Sequence, residues 1–154
     1  MCLPRMLSIE AFYTSSCSVS TVGDLRCWGD NGDGQLGVGP GVSMLTTPSA
    51  VVLTQVTQFS GGSNFACAIR TPGTVHCWGT NQYGAIGDGT NTWLDAPPST
   101  PALSGVMSIS VGSMHVCALT LSGDVRCWGD NTRGQLGIGS LAVTSLTSLG
   151  VPLL

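Results

Sequence analysis

Apolar and polar residues alternate on both sides of a short turn near the end of the chain. The stretch VCALTLSGDVRCWG occupies residues 116–129, and its centre, SGD at 122–124, offers glycine for a left-handed turn position. This pattern predicts a β-hairpin. Because successive side chains of a strand point to opposite faces, one face of the hairpin carries Cys117, Leu119, Val125 and Cys127. Trp128 lies on the other face, so both faces carry apolar bulk and each needs a packing partner.

The same hairpin pattern occurs three times, each copy 50 residues after the previous one. All three copies read C-x9-C-W-G-x-N-x-x-G-x-[LI]-G-x-G without a gap. The cysteines of the three copies are Cys17 and Cys27, Cys67 and Cys77, and Cys117 and Cys127. The other recurring framework residues are Trp28, Gly29, Gly34, Gly37, Trp78, Gly79, Gly84, Gly87, Trp128, Gly129, Gly134 and Gly137. A repeated unit of this kind predicts a repeat protein.

Segments rich in β-branched residues precede the second and third hairpins, at 50–60 and 103–112, and predict further strands. Each unit then holds about four short strands and a glycine loop, a size and content typical of a propeller blade. We therefore predict an all-β fold, a partial β-propeller of three tandem four-stranded blades within residues 1–154. The repeat cores fall at about 6–55, 56–105 and 106–154.

A dinucleotide-binding fingerprint is spelled by GDGQLG at 32–37, but the repeats argue against a cofactor. The first glycine of this match, Gly32, is replaced by Gln82 and Thr132 in the other copies, and no helix pattern follows. The glycines that do recur indicate a loop with fixed backbone requirements. No cofactor is expected.

Composition and charge exclude further classes of function. Only 8% of residues are charged, there is no lysine, the net charge is −3 and the five arginines are spread singly, so no nucleic-acid partner is expected. No apolar run reaches the roughly 18 residues of a membrane span, and residues 1–15 show no signal peptide.

The repeated W-G-x-N-x-x-G-Q-L-G-x-G resembles the regulator of chromosome condensation repeat family, and the version with paired cysteines resembles its bacterial members. The resemblance covers nearly the whole chain and implies blades of a seven-bladed propeller. Two features depart from the family pattern. The first copy has Phe12-Tyr13 where the others have Gly62-Ser63 and Gly112-Ser113, and there are only three copies. Three blades expose the faces of the end blades. The chain is then a piece of a longer propeller, a ring closed by identical chains, or an open arc.

Two uses of the paired cysteines are open. Opposed residues of an antiparallel ladder lie within disulfide range, which predicts three disulfides, Cys2 as the free thiol, and an extracellular or cell-surface protein. Alternatively, the cysteines are reduced and act as small core hydrophobes. A metal site is not expected, because His76-Cys77 and His115 lack ligand spacing, and the calcium-like loop at 30–39 has glycines where ligands belong.

No catalytic motif is present, so an enzyme is not expected. Positions that vary while the repeat frame is fixed are candidates for partner binding, and these are Tyr83, Trp93 and Arg133. The alternative is that Trp93 covers a gap between blades and the others are solvated.

The resemblance implies protein partners, and the predicted function is a non-enzymatic protein-binding scaffold. Guanine-nucleotide exchange on a small GTPase is a second hypothesis, although the uniform spacing leaves no room for the inserted hairpin that the family's exchange factor uses. A structural module of a secreted or cell-surface protein is a third.

Overall fold

The computed structural model describes residues 5–141 and 144–152, and within those ranges it contains strands, turns and loops but no helix. The strands are β1 (Met6–Phe12), β2 (Ser15–Ser20), β3 (Leu25–Asp30), β4 (Met44–Leu45), β5 (Val56–Gly61), β6 (Phe65–Arg70), β7 (Thr74–Gly79), β8 (Val106–Val111), β9 (His115–Thr120), β10 (Val125–Asp130) and β11 (Thr144–Gly150).

The strands form three antiparallel sheets that follow chain order, β1-β2-β3-β4, β5-β6-β7 and β8-β9-β10-β11. We call them the first, second and third blades. In the second blade the fourth position is held by isolated bridges, Gly79 to Leu94 and Val75 to Leu103. Three prolines, at positions 97, 98 and 101, lie between the bridging leucines, and a residue without an N–H cannot continue a ladder. The predicted all-β fold of partial propeller blades is confirmed.

Each blade has the hairpin register that the alternation predicts. Cys17 lies opposite Cys27, and the two later pairs of cysteines are opposed in the same way. Their sulfur atoms lie at disulfide distance, with S–S separations of 2.08, 2.11 and 2.10 Å along the chain. Cys2, the predicted free thiol, lies outside the described residues.

The blades stack face against face, and each of the two seams between them has its own buried core. In the seam between the first and second blades, the first blade contributes Cys17, Val19, Leu25, Cys27 and Leu36, and the second contributes Val56, Phe59, Ala66, Ala68 and Trp78. The second seam repeats this arrangement around Trp128. Trp78 and Trp128 are fully buried. The prediction that the cysteines and the tryptophans occupy opposite faces of each sheet is therefore confirmed.

The strands β1, β5 and β8 lie beside one another along the inner edge of the stack, and side-chain hydrogen bonds join them. The Gln58 amide donates to the carbonyl of Ile109 (2.8 Å) and accepts from its N–H (3.0 Å). Between the first two blades, the Glu10 carboxylate accepts from the N–H of Gly61 (3.0 Å). Each seam thus combines apolar packing with polar links to the neighbouring backbone.

The unusual Phe12 of the first repeat has a packing explanation. Phe12 is buried, its ring lies 5.5 Å from that of Phe59, and a Cβ atom added at Gly61 would collide with it. In the second blade the aromatic ring comes instead from Phe65, which lies over Gly62. The position of Phe65 is occupied in the first blade by a small residue, Ser15. The bulky and small residues have therefore exchanged places within one repeat.

Candidate protein-binding face

The loops that follow β3, β7 and β10 leave the same end of the three blades and carry every residue predicted to bind a partner. We call this end the loop face. Each loop is held by the asparagine of the repeated motif. The Asn31 carbonyl oxygen accepts from the N–H of Leu36 (2.8 Å), and its amide donates to the carbonyl of Val42 (2.6 Å). Asn81 and Asn131 make the equivalent bonds, and all three are buried. Burial with both amide ends satisfied gives the loops a common fixed frame.

Within the first loop, and again within the third, a second polar link is present between a glutamine and an aspartate. The Gln135 amide donates to the Asp130 carboxylate (2.7 Å), and its carbonyl oxygen accepts from the N–H of Arg133 (2.8 Å). Gln35 bonds Asp30 in the same way (2.9 Å). The second blade has Thr80 and Ala85 at these positions, so both members of the pair are absent together. The loop that carries Tyr83 therefore lacks this second polar link and retains the bonds of its asparagine.

The negative charge of Asp130, at the start of the third loop, is stabilised by hydrogen bonds from neighbouring residues. Burial opposes ionisation of the Asp130 carboxyl, but hydrogen bonds from the N–H and hydroxyl of Thr132 and from Gln135 outweigh it and lower the pKa of Asp130. Burial lowers the pKa of the neighbouring His115, and the Asp130 charge partly offsets this. At neutral pH this part of the face carries an anionic carboxylate beside a neutral imidazole.

The glycine loops also lock each blade to the next one. The indole N–H of Trp78 donates to the carbonyl of Gln35 (3.1 Å), and that of Trp128 donates to the carbonyl of Ala85 (2.8 Å). Gly37 lies under the first indole with φ +70°, and a Cβ there would approach the Trp78 Nε1 to 2.6 Å. Glycine is required at this position both for its backbone angle and for the close approach.

Trp93 is an exposed aromatic residue on a fixed backbone. Its side chain is 52% exposed. The next residue, Leu94, exchanges two backbone hydrogen bonds with Gly79 (2.7 and 3.2 Å) and packs against both seam cores. The backbone carbonyl of Asp95 accepts from the N–H of Gly39 in the first blade (2.8 Å). Leu94 therefore packs between the blades, while about half of the Trp93 side chain remains exposed. The counterpart of Trp93 in the third repeat, Val143, lies outside the described residues.

The other two predicted residues lie on the same face. Tyr83 is half-buried in the loop after β7, and Arg133 is exposed in the loop after β10. The structure thus places all three on two neighbouring loops. Sequence reasoning included the asparagines in the motif but gave them no role, although their invariance over three copies was the available signal.

Both ring nitrogens of His76 lie at hydrogen-bond distance from other residues of the second blade. Its Nδ1 lies 2.9 Å from the Pro98 carbonyl and its Nε2 lies 3.2 Å from the Thr74 hydroxyl. The equivalent residues Arg26 and Arg126 also bond carbonyls of the outer segment.

Among the described residues, no group of three or more His, Cys, Asp or Glu side chains could hold a metal ion. Over the same part of the chain, no helix is long and apolar enough to cross a membrane.

Stacked antiparallel blades, joined by tryptophan–glycine seams and carrying framed loops at one end, define a β-propeller repeat protein. The model of the regulator of chromosome condensation (RCC1) repeat matches residues 23–69 and 72–119, and a second model with that description matches 56–85 and 106–135. Because these matches cover more than half of the sequence, the chain belongs to the RCC1 repeat family. No curated protein matches it.

Solved structures with the same fold include human WBSCR16, with a TM-score of 0.82 and 27% identity over 97% of this chain and 40% of that protein. They also include Prp20p from Saccharomyces cerevisiae, described with its binding to Gsp1p and histones, with a TM-score of 0.80 and 17% identity over 98% of this chain and 40% of Prp20p. A second structure, of yeast RCC1 (Prp20) bound to Kap60, gives 0.81 and 19% over 98% and 38%. The chain spans about 40% of the length of the structures it matches.

Proposed function

We propose that this chain is a non-enzymatic protein-binding scaffold whose loop face recognises a protein partner through Trp93, Tyr83 and Arg133. The observation that carries the proposal is the exposed indole of Trp93 beside a backbone fixed to both the first and second blades. Because the backbone beside the indole is already fixed, binding does not have to order that backbone, and Trp, Tyr and Arg dominate the energetics of many interfaces.

The loops support recognition because their outer residues are free to vary. The pairs at 32–33, 82–83 and 132–133 differ completely in the three repeats, whereas the buried asparagine and the glycines are constant. The asparagine bonds therefore form whatever these residues are, and of the three pairs only Thr132 adds a side-chain bond to the framework, from its hydroxyl to Asp130, among the described residues. The RCC1 fold of a protein described with its binding to Gsp1p and histones is compatible with a protein partner for this chain.

Photocrosslinking tests the proposal and captures the partner in the same step. Trp93 is replaced by benzoylphenylalanine in the protein produced in its source cells, and the matched control carries the same probe at Val22, which is exposed in the β2–β3 turn at the opposite end of the blade. We expect discrete protein adducts from position 93 and none of the same mass from position 22. Equal adduct patterns from both positions, or no adducts, would contradict the proposal.

We further propose an extracellular or cell-surface location, because three pairs of cysteines lie at disulfide distance and disulfides persist in oxidising compartments. Mass spectrometry of alkylated protein from fractionated cells tests this. Cell-surface or secreted protein with oxidised pairs supports it, and reduced protein confined to the cytosol contradicts it.

Nucleotide exchange is the competing function. The turns that close the three hairpins are short, at 21–24, 71–73 and 121–124, and none of them protrudes as an inserted hairpin. We therefore expect no acceleration of fluorescent GDP release from a small GTPase. Release that accelerates in proportion to the protein concentration would favour exchange over scaffolding.

A further inference from the structure

The inner strand of the second blade, β5, directs one pair of backbone groups away from its own sheet. The opposed cysteines of each blade have a Cα–Cα distance of 4.1 or 4.2 Å, which marks a pair without ladder hydrogen bonds. Alternation along the ladder then makes Ser60 and Cys67 a hydrogen-bonded pair, and Phe59 and Ala68 a pair without such bonds. The N–H and C=O of Phe59 therefore point to the inner edge of the stack.

In the seam between the second and third blades, a glutamine binds the equivalent backbone groups. Ile109 of β8 has the register of Phe59, since it lies opposite Ala118 of β9. The Gln58 amide crosses the seam, donates to the Ile109 C=O (2.8 Å) and accepts from the Ile109 N–H (3.0 Å). A primary carboxamide therefore matches the donor and acceptor that an inner strand presents at this position.

In the seam between the first and second blades, the equivalent side chain is too short for this role. Ser8 has the register of Gln58, opposite Val19 of β2, but its hydroxyl lies only one atom beyond Cβ. Glu10, the other polar residue on this side of β1, bonds the Gly61 N–H instead (3.0 Å). Within residues 5–141 and 144–152, no side chain bonds the N–H or C=O of Phe59.

A hollow of about 190 Å³ occupies the place where a glutamine would lie in this seam. It exceeds the roughly 150 Å³ of a cavity that holds benzene, so it has room for a carboxamide. Both blades of the seam contribute to its lining, which includes Ser8, Glu10, Cys17, Val19, Thr57 and Phe59. The hollow thus lies between two blades of this chain and beside a backbone donor and acceptor.

We propose that this hollow binds a primary carboxamide, which takes the role that Gln58 has in the next seam. The carboxamide oxygen accepts from the Phe59 N–H, and its NH₂ group donates to the Phe59 C=O. A carboxylate has no donor for that C=O and would meet the Glu10 carboxylate, and a guanidinium has no acceptor for the N–H. The carboxamide belongs either to a small molecule or to a glutamine or asparagine side chain of a partner.

Amide NMR spectroscopy of the isotopically labelled full chain tests the proposal with propionamide, the detached end of a glutamine side chain. We expect the Phe59 N–H resonance to move downfield and to saturate. Propionate and N,N-dimethylpropionamide are the matched controls, because neither has an N–H to donate, and neither should saturate the site. A capped Gly-Gln-Gly peptide without a primary amide at its end distinguishes the two sources. Binding tighter than that of propionamide indicates a partner's side chain, and weaker binding indicates a small molecule.

Ser8→Gln supplies the carboxamide from within the chain. In this variant the Phe59 N–H resonance should lie downfield without any ligand, and its hydrogen exchange should slow about fivefold or more, as for one net hydrogen bond. Added propionamide should no longer bind. Ser8→Ala is the control and should bind propionamide as the wild type does. Gln58→Ser should open a second hollow, with a propionamide response at the Ile109 N–H.

The wild-type titration decides the proposal even if a variant fails to fold. A Phe59 resonance that propionamide leaves unmoved would overturn it, as would an equal response to N,N-dimethylpropionamide. A folded Ser8→Gln variant that neither moves this resonance nor blocks propionamide would contradict the equivalence of the two seams. None of these measurements involves the loop face, so their outcome is independent of the proposed scaffold function.

Discussion

The close contact between Gly37 and Trp78 gives a quantitative test of how the blades are held together. Gly37→Ala adds one methyl group that would lie 2.6 Å from the Trp78 Nε1 and 3.0 Å from its Cδ1. A left-handed backbone angle costs a non-glycine residue about 1–2 kcal/mol. Overpacking a filled core adds about 1–3 kcal/mol. We therefore expect Gly37→Ala to lower the free energy of unfolding by about 2–5 kcal/mol.

Gly39→Ala separates the two contributions. Gly39 also has a positive φ, +90°, but no atom of the described residues lies within 4 Å of its added Cβ. This variant should lose only the conformational share, about 1–2 kcal/mol. The assay is urea denaturation followed by tryptophan fluorescence and far-UV circular dichroism, with the cysteines kept in one redox state. If the two variants are destabilised equally, contact with the indole contributes nothing and the account of the seam is wrong. A further check uses Trp78→Ala as the background. In that background the indole is gone, so Gly37→Ala should lower the free energy of unfolding by no more than Gly39→Ala does.

Three further predictions concern the cysteines, the histidines and the third loop. Thiol titration of the unreduced, denatured protein should find one free thiol rather than seven, and reduction should cost about 2–3 kcal/mol per bridge. Burial, opposed by the Pro98 carbonyl and helped by the Arg70 charge, lowers the pKa of His76 below its ordinary 6.5. The unfolded state then binds the proton more readily, so stability should fall as the pH drops below about 6.5. As the pH drops, the urea midpoint should fall less in His76→Asn than in the wild type. It should fall least when His115, whose pKa is also lowered, is replaced as well. Gln135→Leu should raise the pKa of Asp130 towards its ordinary value in an NMR titration, and an unchanged pKa would refute the role of that hydrogen bond.

The blade and its register were predictable because every relevant signal is local. The turn at 122–124, the alternation around it and the spacing of Cys117 and Cys127 together permit only one pairing that keeps the apolar side chains on common faces. Repetition every 50 residues then extended that pairing to the other two blades. The opposite placement of cysteine and tryptophan followed from the same alternation.

The remaining features depend on contacts between residues distant in sequence. Phe12 looked like a departure from the repeat, and only the folded chain shows that its ring takes the place that Phe65 fills in the next blade. The hydrogen bonds of Gln58 to Ile109 join strands 51 residues apart and leave no mark in either repeat alone. For the loop face, the sequence identified the variable residues, but the backbone that fixes Trp93 became visible only when Leu94 and Asp95 were seen between two blades.

The buried asparagine of each loop separates selection for a stable fold from selection for binding. Because one buried amide holds each loop from the inside, substitutions in the outer pair at 32–33, 82–83 or 132–133 leave the asparagine bonds in place, although replacing Thr132 also removes the hydrogen bond from its hydroxyl to Asp130. Recognition can then diversify through three independent pairs while the framework is inherited intact. The same arrangement suits a combinatorial library, in which randomised pairs would be screened for new affinities on an otherwise constant scaffold.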